Sequence, residues 1–206
     1  MIENSSQESL RPVQEKRKHD VLDVAFSLGA ALLIDAHPNT CFDNAWRTFI
    51  QCFPELFSPD GLFIEGWWVI DLPDRVVMNE HGWCEWADGR IVDPTVVLLL
   101  EPEIPVYYFP GVTRSWDEVN ALVQAEKWFP YVRFGEYGAD GLRHPDYKAA
   151  HDAAMRKMIS LAHATNPPKP TEQLSAQDRD EDLHEEKCGI RIFFLASKQD
   201  REEEKK

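Results

Sequence analysis

The spacing of apolar side chains predicts two helices in the first quarter of the chain. Across residues 15–35 apolar positions recur every three or four residues, as on one face of an α-helix. The side chains expected to face the core are Val21, Val24, Ala25, Leu28, Ala31 and Leu32. Pro38 separates this helix from the next, which we expect to begin at a capping box formed by Thr40 and Asp43 and to end at Pro54. The apolar face of this second helix comprises Phe42, Ala45, Trp46, Phe49, Ile50 and Phe53.

From Gly61 onward the pattern changes to runs rich in β-branched and aromatic residues, which are typical of strands. These runs cover residues 62–70, 76–86, 90–93 and 104–109. Helical spacing returns at 115–127, with Ser115 as the cap, and again at 146–164. Helices, then an antiparallel sheet, then helices again predict the α+β fold class.

The chain divides into one predicted domain and two flanking segments. Residues 15–164 have the composition of a single globular domain, and residues 1–14 form a leader that we expect to be flexible. Residues 165–206 begin with a proline-rich stretch and become polar and acidic, so we expect a largely disordered tail. An apolar stretch at 189–196 is a possible strand, which could join the sheet edge or bind a partner.

Composition narrows the class of partner. A net charge of -14 argues against nucleic acid, whose binding proteins concentrate Lys and Arg on one face. The longest apolar run, 24–34, is too short to span a bilayer, and residues 1–20 lack the apolar core of a secretory signal. Cysteines at positions 41, 52, 84 and 188 form no C-x-x-C pair and no disulfide framework. We therefore expect a cytoplasmic protein with no nucleic-acid or membrane partner; its oligomeric state stays open.

Cys41 is the first candidate for chemistry, because it follows the proposed cap of a helix. Free N–H groups and the helix dipole favour a thiolate at such a position. The dipole contributes only about 0.3–1 kcal/mol, so a neighbouring imidazolium must supply most of the activation. The backbone N–H of Cys41 could also bind an oxyanion. Asn44, one turn later, could donate a second hydrogen bond there or lock the adjoining loop.

His81 and Asp93 lie on a predicted hairpin whose loop decides whether they meet. Strand alternation puts His81 and Trp83 on one face and Cys84 on the other, so Cys84 is not a second nucleophile. A two-residue turn would send Asp93 to the wrong face. A three-residue loop at 87–89, with its final glycine left-handed, instead pairs Asp93 with Trp83 and makes His81 its diagonal neighbour. We expect this longer loop, in which Asp93 would hold the imidazole in one tautomer.

Three segments together resemble the papain-like cysteine enzymes of the transglutaminase-like branch. They read C-F-D-N-A-W at 41–46, E-G-W at 65–67 and H-G-W-C-E-W-A-D-G-R-I-V-D-P-T at 81–95. The resemblance covers about residues 39–95 and implies a papain/transglutaminase-like core, in which a helix carrying Cys packs on an antiparallel sheet carrying His and Asp. It implies Cys41 as nucleophile, His81 as general base and acid, and Asp93 as the orienting carboxylate. The calcium-site regions of animal transglutaminases are missing, so neither calcium dependence nor protein cross-linking is expected. No cofactor is expected either.

The resulting hypothesis is a cysteine-dependent hydrolase that acts on an amide carbonyl of a protein or peptide through an acyl-thioester. A peptidase, an amidase and a glutamine deamidase all fit. One alternative is a catalytically silent binding or inhibitor module of the same fold, and another is an enzyme that transfers an amine to a protein. Each candidate also has a structural alternative: a buried thiol at Cys41, a structural hydrogen bond at His81 and a strand-ending turn at Asp93.

The remaining candidates are less specific. Glu65 could be a buried acid near the site or a surface residue, and Trp67 and Trp83 could pack the sheet or line a substrate channel with it. Histidines at 144, 151 and 163 follow helical intervals, but they lack an H-E-x-x-H element and a cysteine partner. We therefore expect no metal site.

Overall fold

The computed structural model describes residues 13–56, 60–126 and 141–165. The predicted tail, its possible strand at 189–196 and nearly all of the leader lie outside these residues. The described elements are β1 (Lys16–Arg17), α1 (Lys18–Val21), α2 (Val24–Leu33), α3 (Cys41–Leu56), β2 (Leu62–Leu72), β3 (Arg75–Glu85), β4 (Ile91–Val92), α4 (Val96–Leu99), β5 (Val106–Ser115), α5 (Trp116–Glu126), a 3-10 turn (Gly141–Arg143) and α6 (Pro145–Thr165). None of the helices within these ranges is long and apolar enough to cross a membrane.

The strands form an antiparallel sheet in the order β1-β5-β2-β3-β4. The central hairpin, β2 and β3, is paired from Leu62 opposite Glu85 to Leu72 opposite Arg75. β2 is an almost unbroken apolar run because both of its faces are covered, as its burial shows. The combination of helices with an antiparallel sheet confirms the predicted α+β class.

The two faces of the sheet have different coverings. The helix face carries alternate β2 residues including Phe63, Trp67 and Val69, and α3 and α6 pack against it. The His81 face carries the other set, including Ile64 and Trp68, and is covered by a cluster that contains residues of α1 and α4. All of these side chains are buried, so the sheet is the centre of the core.

The single helix predicted for residues 15–35 is wrong in its extent. Lys16 and Arg17 pair with β5 instead, and α2 begins only after Asp23, whose side chain caps the Phe26 N–H at 3.0 Å. A strand partner distant in sequence therefore overrides the local helical spacing.

The predicted core face of this helix is wrong at most of its positions. Val24, Leu28 and Leu32 are 49%, 44% and 85% exposed, whereas Ser27 and Ala30 are buried together with Ala31, which was in the predicted set. α2 is apolar on nearly every side, so periodicity does not select a face, and the small residues are the ones that allow close packing.

The helix boundaries later in the chain agree better with the prediction. We expected α3 to end at Pro54, but it continues for two more residues. A helix can tolerate a proline in its last turn, because only one backbone hydrogen bond is lost there. Ser115 caps α5 as predicted: its Oγ accepts from the Glu118 N–H at 3.3 Å, and the Glu118 carboxylate accepts from the Ser115 N–H at 2.7 Å. This reciprocal pair is a capping box.

Candidate catalytic site

The hairpin after His81 has the predicted three-residue loop. Cys84 lies opposite Val92, and the Trp86 N–H donates to the Arg90 carbonyl at 2.8 Å, which leaves residues 87–89 as the loop. Gly89, its last residue, has a φ of +87°, the left-handed conformation that this loop requires. Continuing the same register places Asp93 opposite Trp83, on the face that carries His81. The loop prediction is therefore confirmed.

Asp93 is fully buried, and both of its carboxylate oxygens are occupied. Oδ2 accepts from His81 Nε2 at 2.7 Å and from the Tyr108 hydroxyl at 2.9 Å. Oδ1 accepts from the backbone N–H groups of Thr95 and Val96, each at 3.0 Å. The hydrogen bonds to the turn and the hydrogen bond to His81 are thus accepted by different oxygens of one side chain.

His81 is fully buried and lies beside a negative charge. Burial alone lowers the pKa of its imidazole, but the charge and hydrogen bond of Asp93, with a smaller contribution from Cys41, raise the pKa to about 9. Nε2 is taken by Asp93, and Nδ1 has no aligned hydrogen-bond partner among the described residues. Nδ1 is therefore the nitrogen left for the Cys41 thiol.

Cys41 differs from the other described cysteines in its exposure. It is the first residue of α3 and is half-buried, whereas Cys52 and Cys84 are buried. Burial raises the pKa of the Cys52 thiol and raises that of Cys84 well above its ordinary value. The Cys84 thiol also donates to the Ala45 carbonyl at 3.3 Å, on the helix face and away from His81. Cys41 is consequently the described cysteine with a thiol that is partly open to solvent.

A close approach between α3 and β3 brings Cys41 to the sheet. A side chain on Gly82 would place its Cβ 3.2 Å from the Phe42 Cα and 3.0 Å from the Phe42 ring. Such a contact is shorter than packed atoms normally allow, so glycine at this position lets the first turn of α3 lie against the strand next to His81. The start of α3 and the strand segment around His81 are thereby neighbours although they are distant in sequence.

Asn44 ties this helix start to the turn that holds Asp93. Its side-chain amide donates to the His37 carbonyl at 2.6 Å and to Thr95 Oγ1 at 2.9 Å, and its oxygen accepts from the His37 N–H at 3.2 Å. Both amide hydrogens are used, so of the two expected roles Asn44 takes the one that locks the loop, not the one that binds an oxyanion.

The predicted capping box of α3 is wrong. The Thr40 hydroxyl lies 3.1 Å from the His37 carbonyl and 3.2 Å from Asn44 Oδ1, and it makes no bond to the Asp43 N–H. The first N–H groups of a helix have no acceptor within the helix itself. The Cys41 N–H, at the first residue of α3, is one of these.

The predicted substrate-channel residues do not form a channel in this structure. Glu65 is fully buried and paired with Arg114 on the helix face, and Trp67 packs beneath α6 on the same face. Trp83 shares the His81 face but is fully buried in the core. None of the three side chains reaches an open surface, because the sheet is covered on both sides.

Several site residues had no local signal in the sequence. Tyr108 comes from β5, two strands away from His81, and no spacing connects it to Asp93. Ser27 lies on α2 and accepts the Asp93 N–H at 3.0 Å. Trp68 stacks on the imidazole of His81 at a centroid distance of 3.7 Å. Of these supporting residues, only Thr95 could have been picked out from the sequence, because it is the last residue of the D-P-T element.

Comparison with known proteins does not assign a family to this arrangement. No protein-family model matches the chain, and no curated protein or solved structure is significantly similar to it. Within the part of the chain that the structure describes, no group of three or more His, Cys, Asp or Glu side chains is arranged to hold a metal ion. The function must therefore be argued from the site itself.

Proposed function

We propose that the chain is a cysteine-dependent hydrolase with the catalytic triad Cys41, His81 and Asp93 on a papain/transglutaminase-like core. The observation that carries the proposal is the buried 2.7 Å contact between His81 Nε2 and Asp93 Oδ2, which leaves Nδ1 for a half-buried thiol at a helix start. The chain order also supports it: the cysteine begins a helix, the histidine lies on a strand, and the aspartate ends the next strand.

The chemistry follows from the protonation states that this geometry favours. His81 takes the thiol proton through Nδ1, and the resulting thiolate attacks the carbonyl carbon of an amide, forming a carbon–sulfur bond. The Cys41 N–H stabilises the oxyanion. His81 returns the proton to the leaving nitrogen as the carbon–nitrogen bond breaks, and a thioester remains.

Water completes the reaction with the same groups. His81 removes a proton from the attacking water, the thioester carbon–sulfur bond breaks, and the thiol is regenerated with a carboxylic acid as product. A peptide bond as substrate gives a peptidase, and a glutamine side chain gives a deamidase with ammonia as leaving group. An amine in place of water gives the transfer reaction. The substrate is expected to be a protein or peptide.

Selective alkylation tests whether the thiol is activated. Iodoacetamide at about pH 6 should label Cys41 faster than Cys52, Cys84 or Cys188, because ordinary thiols carry little thiolate there. His81→Gln should remove the preference, and Cys52→Ala should leave it intact. If Cys41 reacts no faster than the other three cysteines, the proposal fails and the binding-module alternative gains support.

Trapping an acyl group tests the covalent step. Incubation with a p-nitrophenyl ester, acid quenching and mass spectrometry should show one acyl group on the peptide that carries Cys41. Cys41→Ala should abolish the adduct. Release of ammonia, cleavage of the chain or a mass gain from an added amine, measured on candidate substrates, then separates deamidation, proteolysis and transfer.

A further inference from the structure

An indole ring lies flat against the imidazole of the proposed catalytic histidine. The rings of Trp68 and His81 are 3.7 Å apart between centroids and only 6° from parallel. Trp68 is 5% exposed and His81 is fully buried, so no bulk water separates the two rings. A stack this close and this parallel restricts rotation of the imidazole about its side-chain bonds.

The strand register puts a second indole on the opposite side of the imidazole. Gly66 lies opposite His81 in the β2–β3 pairing. Trp68 is two residues beyond Gly66 on β2, and Trp83 is two residues beyond His81 on the antiparallel strand, so the two indoles flank the imidazole along the strands. The Trp83 ring lies 6.1 Å from that of His81 at an angle of 19°.

Gly66 is part of this arrangement because it has no side chain. A Cβ at Gly66 would lie 2.9 Å from the Cη2 atom of Trp83. The space on the His81 face that a side chain would fill is therefore used by aromatic rings.

An aromatic face attracts a cation more than it attracts the neutral form of the same group. Stacking on Trp68 therefore favours the imidazolium, the form that His81 takes when it has accepted the thiol proton. The indole N–H of Trp68 has no hydrogen-bond partner among the described residues. Within them, no hydrogen bond therefore pulls the indole ring away from its stacked position.

We propose that Trp68 is a positioning residue of the proposed triad, which holds the imidazole in the plane joining Asp93 to Cys41 and stabilises its protonated form. The catalytic meaning of this role rests on the proposed function. The effect on the imidazole does not, because it can be measured without a substrate.

The test compares Trp68→Leu, Trp68→Phe and the matched control Trp67→Leu. Trp67 is the next residue on β2, is equally buried and lies on the opposite face of the sheet. The pKa of His81 is measured by ¹⁵N NMR in the Cys41→Ala background, so that the imidazole titrates without the thiol. Trp68→Leu should lower the His81 pKa by about 0.5–1.5 units, Trp68→Phe should restore most of the shift, and Trp67→Leu should cause none.

In chains that retain Cys41, the pH profile of its alkylation should shift with Trp68→Leu and recover with Trp68→Phe. Equal shifts for Trp68→Leu and Trp67→Leu, or no recovery with phenylalanine, would overturn the inference. If the Trp68 variants fail to fold, fluorinated tryptophans incorporated into the intact chain weaken the ring quadrupole without changing its shape. The His81 pKa should then fall with each added fluorine, and an unchanged pKa would overturn the inference.

Failure of the proposed function gives a different pattern. If Cys41 in the unmodified chain is not alkylated preferentially, the catalytic proposal fails. A drop in the His81 pKa with Trp68→Leu would still support the electrostatic role of the stack.

Discussion

Replacing Asp93 by asparagine should reverse the tautomer of His81 while preserving the fold. The two oxygens of Asp93 face different kinds of donor. Those at Oδ1 are the backbone N–H groups of Thr95 and Val96, which cannot become acceptors. Those at Oδ2 are His81 Nε2 and the Tyr108 hydroxyl, both of which can accept a hydrogen bond once they change form.

The asparagine amide should therefore take one orientation. Its oxygen remains at the Oδ1 position, and its NH₂ group faces His81 and Tyr108. His81 then accepts through Nε2 and carries its proton on Nδ1, the nitrogen that the thiol needs as a base. The variant keeps its buried hydrogen bonds, but the nitrogen of the proposed base is now protonated.

The magnitude follows from the cause of the raised pKa. The pKa of His81 is about 9, and Asp93 is the largest contribution that raises it, whereas burial lowers it. Without the carboxylate charge, burial dominates, and the His81 pKa of Asp93→Asn should fall below 6.5. The difference is at least ~2.5 units, or about 3 kcal/mol at 1.36 kcal/mol per unit.

The same pKa makes stability depend on pH. Folding favours protonated His81, so its contribution to the free energy of unfolding is fully present below about pH 6.5 and is lost as the pH rises towards 9. Urea denaturation of the unmodified chain across this window should show a loss of up to about 3 kcal/mol from His81. The loss should be absent in Asp93→Asn.

Long-range ¹H–¹⁵N NMR reports the tautomer directly, and iodoacetamide labelling at about pH 6 reports the thiol. Tyr108→Phe is the matched control, because it removes one donor to Oδ2 and leaves the charge of Asp93. The control should keep the proton on Nε2 and keep preferential labelling of Cys41. Detection of the Nε2–H tautomer in Asp93→Asn, with a His81 pKa above 6.5, would refute the reasoning.

Three further predictions are checked by urea denaturation at constant pH. Gly66→Ala should lower the free energy of unfolding by about 3 kcal/mol or more, because the new Cβ would lie 2.3 Å from the Phe109 carbonyl oxygen. Gly29→Ala should raise the free energy of unfolding by about 0.5–1 kcal/mol, because a Cβ at Gly29 in α2 would have nothing within 4 Å and alanine favours a helix over glycine. Asp35→Gly should raise the free energy of unfolding by about 0.5–1 kcal/mol. Asp35 has a φ of +51° just after α2, and glycine adopts this left-handed conformation at lower cost than aspartate. Asn44→Ala should lower the free energy of unfolding by about 3 kcal/mol and slow the labelling of Cys41, because it removes the three hydrogen bonds that join the α3 start to the His37 backbone and to the buried Thr95.

Each of these predictions has a contrary outcome. Equal stability changes for the two glycine variants would mean that the close approach at Gly66 is not a constraint. Destabilisation by Asp35→Gly would mean that the aspartate side chain contributes more than its left-handed backbone costs. Unchanged labelling of Cys41 in a folded Asn44→Ala chain would show that Asn44 does not position the Cys41 thiol.

The hairpin geometry was predictable because its determinants are local. Loop length, the left-handed glycine and strand alternation together fix which side chains share a face, and all three can be derived from residues 81–93. The meeting of His81 with Asp93 followed from this geometry. The capping box at Ser115 was predictable for the same reason, since both of its residues belong to one turn.

The features that could not be predicted from the sequence depend on residues that are distant along the chain. Residues 16 and 17 are strand because β5 pairs with them, and α2 buries its small residues because α3, α4 and β4 surround that side. Tyr108 and Trp68 reach the site from neighbouring strands whose register is set by the whole sheet. Periodicity within one segment contains no information on such partners.

The end of β4 is consistent with the proposed approach of Cys41, on a helix that packs on one face of the sheet, to His81 on the other face. β4 pairs with β3 only at Cys84 and Glu85. Pro94 has no N–H to donate, and the Asp93 carboxylate draws the following N–H groups into a turn, so the strand cannot extend alongside His81. A longer β4 would continue along β3 beside Gly82, the residue against which the first turn of α3 packs. The Asp-Pro step therefore places a carboxylate beside the His81 imidazole and also keeps β4 away from the part of β3 that lies next to the α3 start.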